Sequence, residues 1–160
     1  MLAECGDPAP DGAGAALAYR EVYRASFRQT PGAHPLLSAL RERGLRVGVL
    51  TNYLRDVQQE TLEAIRLLPL VDALVTVSDA PPKPHAGSYM AICAALSVSP
   101  GQAVMVGDSW PNDVAGAVHA GLRAVWYNPS GQAAPADVPH ATLTGFLPPE
   151  AALATLLCTI

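Results

Sequence analysis

Residues 103–113 read Ala-Val-Met-Val-Gly-Asp-Ser-Trp-Pro-Asn-Asp. An apolar run, Ala103 to Val106, stops at Gly107 and delivers two carboxylates, Asp108 and Asp113, just past its end. In an open α/β sheet, strand carboxyl ends carry the polar groups that ligands meet. A carboxylate pair in that place suits a hard cation such as Mg²⁺, which takes oxygen ligands and usually keeps a substrate phosphate as partner.

Working outward, the same pattern of apolar run, polar turn and helix recurs on both sides. Upstream, Leu45–Leu50 reads as a buried strand, Arg55–Leu67 as a helix, Val71–Val77 as a strand and Ser88–Leu96 as a helix, with a turn at Ser99-Pro100-Gly101. Downstream, Asn112–Ala120 reads as a helix and Arg123–Tyr127 as a strand. Residues 128–139 form a Pro- and Gly-rich loop, followed by a short strand, Thr142–Phe146, and a closing helix, Pro149–Leu157. Nearer the start, residues 15–29 are helix-prone, with Leu17, Val22 or Tyr23, and Phe27 near helical spacing. Thr30-Pro31-Gly32 breaks that helix. A further helix, Pro35–Arg43, turns Leu36, Leu37 and Leu40 inward and stops at Gly44. Alternating strands and helices predict an α/β fold with a mainly parallel sheet and right-handed crossovers. Residues 1–14, rich in Gly, Pro, Ala and Asp, are expected to lack regular structure.

Composition narrows the function classes. The 160 residues suffice for one domain with a real core, and 50% hydrophobic against 15% charged is globular, not disordered. The net charge of -4 comes without a basic stripe, which argues against nucleic acid as a partner. No apolar stretch reaches the ~18 residues of a membrane span, and no signal-peptide pattern opens the chain. Cys5, Cys93 and Cys158 make no metal-ligand pattern and suggest free thiols in a reducing cytoplasm. His85 and His119 have no paired ligand at a useful spacing and read as solvated or capping residues.

Thr51-Asn52 follows the strand Leu45–Leu50, and Lys83-Pro84 follows the strand Val71–Val77. With Asp108 and Asp113 they would converge on one rim of a parallel sheet. A hydroxyl, an ammonium and a carboxylate pair on one rim is chemistry for a phosphate plus Mg²⁺. The Thr51 hydroxyl and the Asn52 backbone N–H can donate to phosphoryl oxygens, Lys83 can neutralise charge developing there, and Asp108 can hold the metal. Each feature has a plainer reading. Asp108 and Asp113 suit a loop carboxylate and a helix N-cap, Thr51-Asn52 a helix start, and Lys83 a solvated surface cation.

Three stretches together resemble the haloacid dehalogenase superfamily. Pro31-Gly32, Leu36-Leu37, Gly44 and Val49-Leu50-Thr51-Asn52 resemble its second motif region. Lys83-Pro84-His85 is similar to the third motif. Val106-Gly107-Asp108-Ser109-Trp110-Pro111-Asn112-Asp113-Val114, with Gly116-Ala117 and Ala120-Gly121, is similar to the fourth. Their order and spacing match over about residues 20–130. The resemblance implies a three-layer α/β/α Rossmann-like core at 31–160, preceded at 1–30 by an irregular start and the remnant of a small helical cap. It implies Mg²⁺-dependent hydrolysis of a small phosphorylated metabolite, with Thr51 and Lys83 as catalytic phosphate contacts beside Asn52. Asp108 would ligate Mg²⁺, and Asp113 would support it directly or from behind. The Gly-Asp form of the fourth motif favours the phosphatases over the metal-free dehalogenases.

The family's first motif, an apolar strand ending in Asp-x-Asp, has no match. Asp7-Pro-Ala-Pro-Asp11-Gly12 has the wrong spacing, lacks a preceding apolar strand and carries two prolines that oppose strand pairing. The resemblance therefore implies a core lacking its usual first, central strand, and with it the carboxylate nucleophile. Three explanations stay open. The chain begins inside a longer protein; it is a degenerate relative that closes Leu45–Leu50 directly onto Ala103–Val106; or another chain, as in a homodimer, supplies the strand. The functional expectations are a phosphatase that is inactive as this chain alone, a non-catalytic phosphate- or Mg²⁺-binding or interaction protein, and, third, a 2-haloacid dehalogenase.

Overall fold

The computed structural model describes residues 14, 21, 22, 24 and 26–159. The helix expected over residues 15–29 falls largely outside them. The regular elements that follow are α1 (Ala33–Glu42), β1 (Gly48–Leu50), α2 (Arg55–Ala64), β2 (Ala73–Val75), α3 (Ala86–Ala95), β3 (Val104–Gly107), α4 (Gly116–His119), β4 (Arg123–Tyr127), β5 (Ala141–Leu143) and α5 (Pro149–Thr159). Single 3₁₀ turns at Leu68–Leu70 and Pro100–Gln102 precede β2 and β3.

All strand pairs are parallel. β1 pairs with β2, Leu50 opposite Val75, and β3 pairs with β4, Gly107 opposite Trp126. β4 pairs in turn with β5. Among the described residues no ladder joins the β1–β2 sheet to the β3–β4–β5 sheet. Direct closure of β1 onto β3, one way of dispensing with a central strand, is therefore not what this chain does.

Packing nevertheless makes the two sheets one core. On one face, Leu50 and Val75 from the first sheet share a cluster with Tyr89, Ile92 and Cys93 of α3, Ala117 of α4 and Leu122, and Met105 of β3 packs against it. On the other face α1 serves both sheets. Its Leu36 packs with Val125, Leu143 and the α5 residues Ala152, Leu153 and Leu156, while its Ala33 packs with Leu62 and Leu67 over Val49 and Leu74. Gly48 lets α3 come close, since a Cβ there would press on Ile92 and Leu96. The result is three layers, helix on sheet on helix, as the alternation of elements predicts.

The seam between the sheets is thinly covered. Every residue of β3 is only half-buried and Gly48 is exposed, whereas Ala124, Val125 and Trp126 of β4 are buried. Strand edges of this kind present backbone donors and acceptors to whatever lies alongside.

Several helix ends differ from expectation for one reason. Residues Gly44, Arg66, Ser97 and Gly121 all have positive φ. The N–H of the next residue, Leu45, Leu67, Val98 or Leu122, donates back to the carbonyl five residues earlier. This is the Schellman arrangement, in which a left-handed residue closes the helix and an apolar one follows. Gly44 signals it in the sequence. Arg66 does not, so α2 stops at Ala64 rather than running to Leu67. The helix expected at Asn112–Ala120 is also modified. It starts as a π-helical turn, Trp110–Ala115, and becomes α-helical only over Gly116–His119.

Candidate active site

The ends of β1 and β3 are joined not by a ladder but by side chains. Asn52, two residues past β1, clips the main chain at Lys83: its Nδ2 donates to the Lys83 carbonyl (3.0 Å), and the Lys83 N–H donates to its Oδ1 (2.8 Å). The Lys83 ammonium in turn donates to Asp113 Oδ1 at 2.6 Å. Asp113 Oδ2 accepts the N–H of Ser109 at 3.0 Å. The bonds thus run from the strand end at Thr51, through Lys83, to the turn that follows Asp108. Of the residues expected on one rim, Asn52, Lys83 and Asp113 are in contact.

Thr51 is half-buried, its N–H donating to Val75 and its Oγ1 accepting the N–H of Tyr53 at 3.2 Å. A hydroxyl that accepts keeps its own proton to donate elsewhere. The Asn52 carboxamide is spent on the Lys83 main chain, so its side chain shapes the site through Lys83.

The two carboxylates are not equivalent. Asp113 is buried, and its side chain and that of Lys83 are only 6% and 11% exposed. Both Asp113 oxygens are engaged, one by Lys83 and one by Ser109. Asp108 is exposed at the end of β3. Gly107 is required for this packing, because a Cβ at that position would overlap the Asp113 carboxylate. Among the described residues no three His, Cys, Asp or Glu side chains cluster as a metal cage. Mg²⁺ does not need one: it is usually bound by one or two carboxylates, with waters and phosphate filling the other positions. An exposed Asp108 backed by a buried, lysine-paired Asp113 fits that donor set.

Further residues hold this site from behind. Tyr89 of α3 is fully buried, and its hydroxyl donates to the Asn112 carbonyl at 2.5 Å, inside the π-helical turn. Burial, helped by the negative charge of Asp113, pushes the Tyr89 phenol up to about 12, so it stays a donor. Gly116 makes room for it, since a Cβ there would meet the Tyr89 hydroxyl and Pro84. His85 caps α3, its Nδ1 accepting the Gly87 N–H, as expected, and Cys93 is buried core. At the end of β2, Asp79 accepts from the Thr76 N–H, the Thr76 hydroxyl and Arg55. Those bonds, Arg55 first, hold its carboxyl down at about 2. A concavity of about 460 Å³ lined by Phe27, Arg28, Gln29, His34 and Ala64–Arg66 includes none of these rim residues, so the site is an open rim and not that pocket.

The profile of haloacid dehalogenase-like hydrolases matches residues 4–121. The chain belongs to that family. Among curated relatives it is similar to the N-acylneuraminate-9-phosphatase of Mus musculus, 34% identical over 129 residues covering 78% of this chain and 52% of that protein. It is also similar to the phosphoserine phosphatase of Thermus thermophilus, 38% identical over 118 residues covering 67% and 46%. Among solved structures it resembles a HAD phosphatase from Thermococcus onnurineus, with a TM-score of 0.76 and 30% identity over 84% of this chain and 62% of that one. The chain spans about half the length of the curated relatives it matches. Among the described residues, no helix is long and apolar enough to cross a membrane.

Proposed function

We propose that this chain supplies the phosphate- and cation-binding half of a Mg²⁺-dependent phosphatase site for a small phosphorylated metabolite. The observation that carries the reading is the chain of contacts Asn52–Lys83–Asp113, which holds an ammonium on the rim between two open strand ends. The relatives named as phosphatases support it.

In this reading Lys83 meets the phosphoryl oxygens and neutralises charge gathering on them during transfer. Asp113 fixes Lys83 in place through their ion pair at 2.6 Å. The Thr51 hydroxyl donates to a second phosphoryl oxygen. Asp108 would hold Mg²⁺, with Asp113 in support, and the ion would supply electrophilic stabilisation of the phosphoryl group. Covalent catalysis also needs a nucleophile. Among the described residues no strand lies between β1 and β3 to present one. The open seam there is where a further strand would place a carboxylate beside Thr51, Lys83 and Asp108.

The same open seam favours a second reading: a non-catalytic relative that binds phosphate with Mg²⁺. Turnover of p-nitrophenyl phosphate by the purified 160-residue chain separates the two. The half-site reading expects no Mg²⁺-dependent turnover from this chain alone. It also expects turnover to appear when the chain is extended or complemented by an apolar strand ending in Asp-x-Asp. Failure of every such strand to restore activity, with phosphate binding intact, would leave the non-catalytic reading. Robust turnover by the 160 residues alone, lost in Asp108→Asn, would overturn the half-site and point to a substitute nucleophile.

A further inference from the structure

The peptide unit that follows Asp108 is gripped at both polar ends. Its N–H, that of Ser109, donates to Asp113 Oδ2 at 3.0 Å. Its carbonyl, that of Asp108, accepts the indole N–H of Trp126 at 3.1 Å. Trp126 is only 4% exposed and stands on β4 directly opposite Gly107, the last residue of β3. Its indole is locked by two further rings. Trp110, from the turn after Asp108, meets it edge-on with centroids 4.9 Å apart. His140 meets Trp110 at 5.0 Å and Trp126 at 6.1 Å. His140 is itself tied down, its Nδ1 bonding the Val138 carbonyl at 2.7 Å. A buried indole N–H must find an acceptor, and here its acceptor is the main chain of the exposed carboxylate at the end of β3.

We propose that Trp126 is a positioning residue for Asp108. By holding the Asp108 carbonyl while Asp113 holds the Ser109 N–H, it fixes the backbone from which the Asp108 carboxylate projects. It thereby keeps that carboxylate set for a divalent cation before the cation arrives. Asp108 is the first residue past β3, where an exposed turn would otherwise sample several conformations, each costing cation affinity when it is frozen out. Trp126 spends its donor on the carbonyl and leaves the carboxylate free to ligate. The proposal rests on the reading of Asp108 as the cation ligand.

The chain has two tryptophans, both in this cluster, so its indole N–H spectrum reports on the site directly. The experiment is a Mg²⁺ titration of the purified 160-residue chain, followed by the two indole ¹H–¹⁵N signals and assigned with Trp126→Phe and Trp110→Phe. Wild type should show a saturable shift that Asp108→Asn abolishes. Trp126→Phe, read on the remaining Trp110 signal, should bind Mg²⁺ about fivefold more weakly, the equivalent of one net hydrogen bond. Replacing Trp126 by benzothienylalanine, which keeps the ring shape and its packing on Trp110 and His140 but has no N–H, should weaken it equally. A role in packing alone predicts wild-type affinity for that analogue. Unchanged Mg²⁺ affinity in it, with Asp108→Asn still abolishing binding, overturns the positioning role and leaves the ligand reading standing. Saturable shifts that survive Asp108→Asn, or no saturable shift in wild type, overturn both.

Discussion

Removing either partner of the Lys83–Asp113 ion pair should cost this fold more than any other single charge deletion on the rim. In Asp113→Asn the Lys83 ammonium, 11% exposed, loses an oxygen at 2.6 Å. At an effective dielectric of about 20 that attraction has a ceiling of about 6 kcal/mol. Desolvation of both groups offsets much of it, and stranding one partner of a buried pair typically costs 3–5 kcal/mol. Lys83 keeps a little solvent access and can swing outward, so about 3 kcal/mol is expected. For a domain of this size that lowers the melting temperature by about 6–12 °C. Asn at 113 can still accept from the Ser109 N–H, so the loss reports the ion pair and not the turn. Lys83→Met should cost a similar amount, since it strands the Asp113 carboxylate. The double variant should regain part of the loss, with a coupling of about 1.5–3 kcal/mol. The assay is urea unfolding followed by tryptophan fluorescence. Additivity of the two changes within about 0.5 kcal/mol would show that the pair does not link the strand ends, and would refute the reasoning.

The packing around Asp113 makes a second expectation: Gly107→Ala pushes a methyl into that carboxylate and should destabilise by about 1–3 kcal/mol in the same unfolding assay. Acid sensitivity follows from Asp79, held at about 2 against an ordinary 3.8. Its contribution is complete above about pH 4 and is lost as pH falls toward 2. Asp79→Asn should therefore flatten the stability–pH curve across that window, as measured by thermal melts in an acid series. Ser97, exposed and left-handed with φ 53° at the close of α3, should gain stability on change to Gly. Relief of the left-handed strain, about 1–2 kcal/mol, exceeds the added unfolded-state entropy of about 0.4–1 kcal/mol, and the melting temperature reads the difference.

The parts of this molecule legible in its sequence are those written as local pattern. The runs at Leu45–Leu50, Val71–Val77, Ala103–Val106 and Arg123–Tyr127 each contain a strand, because a buried parallel strand needs continuous apolar residues. β1 and β2 are shorter than their runs, since apolar character extends past the last ladder bond, whereas β4 coincides with its run and β3 is shifted by one residue. Gly44 announced its helix stop, whereas Arg66 and Ser97 perform the same left-handed turn with no signature. What could not be read was partnership at a distance. Nothing local says that Asn52 turns its carboxamide to Lys83, 31 residues on. Nor does the sequence show that the Tyr89 hydroxyl reaches Asn112 or that the Trp126 indole reaches Asp108. The pattern after Asp108 reads as a regular helix, and the π-helical start at Trp110–Ala115 carries no signal in it. The unequal burial of Asp108 and Asp113 also lies beyond spacing, because it depends on Lys83 arriving from another strand end.

The central claim is that Thr51, Lys83 and Asp108 form one phosphate and Mg²⁺ rim. It is tested most directly by calorimetric titration of the purified chain with inorganic phosphate, in the presence and absence of Mg²⁺. The account predicts phosphate binding that requires Mg²⁺ and is lost in both Lys83→Met and Asp108→Asn, each still folded by circular dichroism. Phosphate binding that ignores Mg²⁺ or survives either substitution, or its absence in wild type, would contradict it.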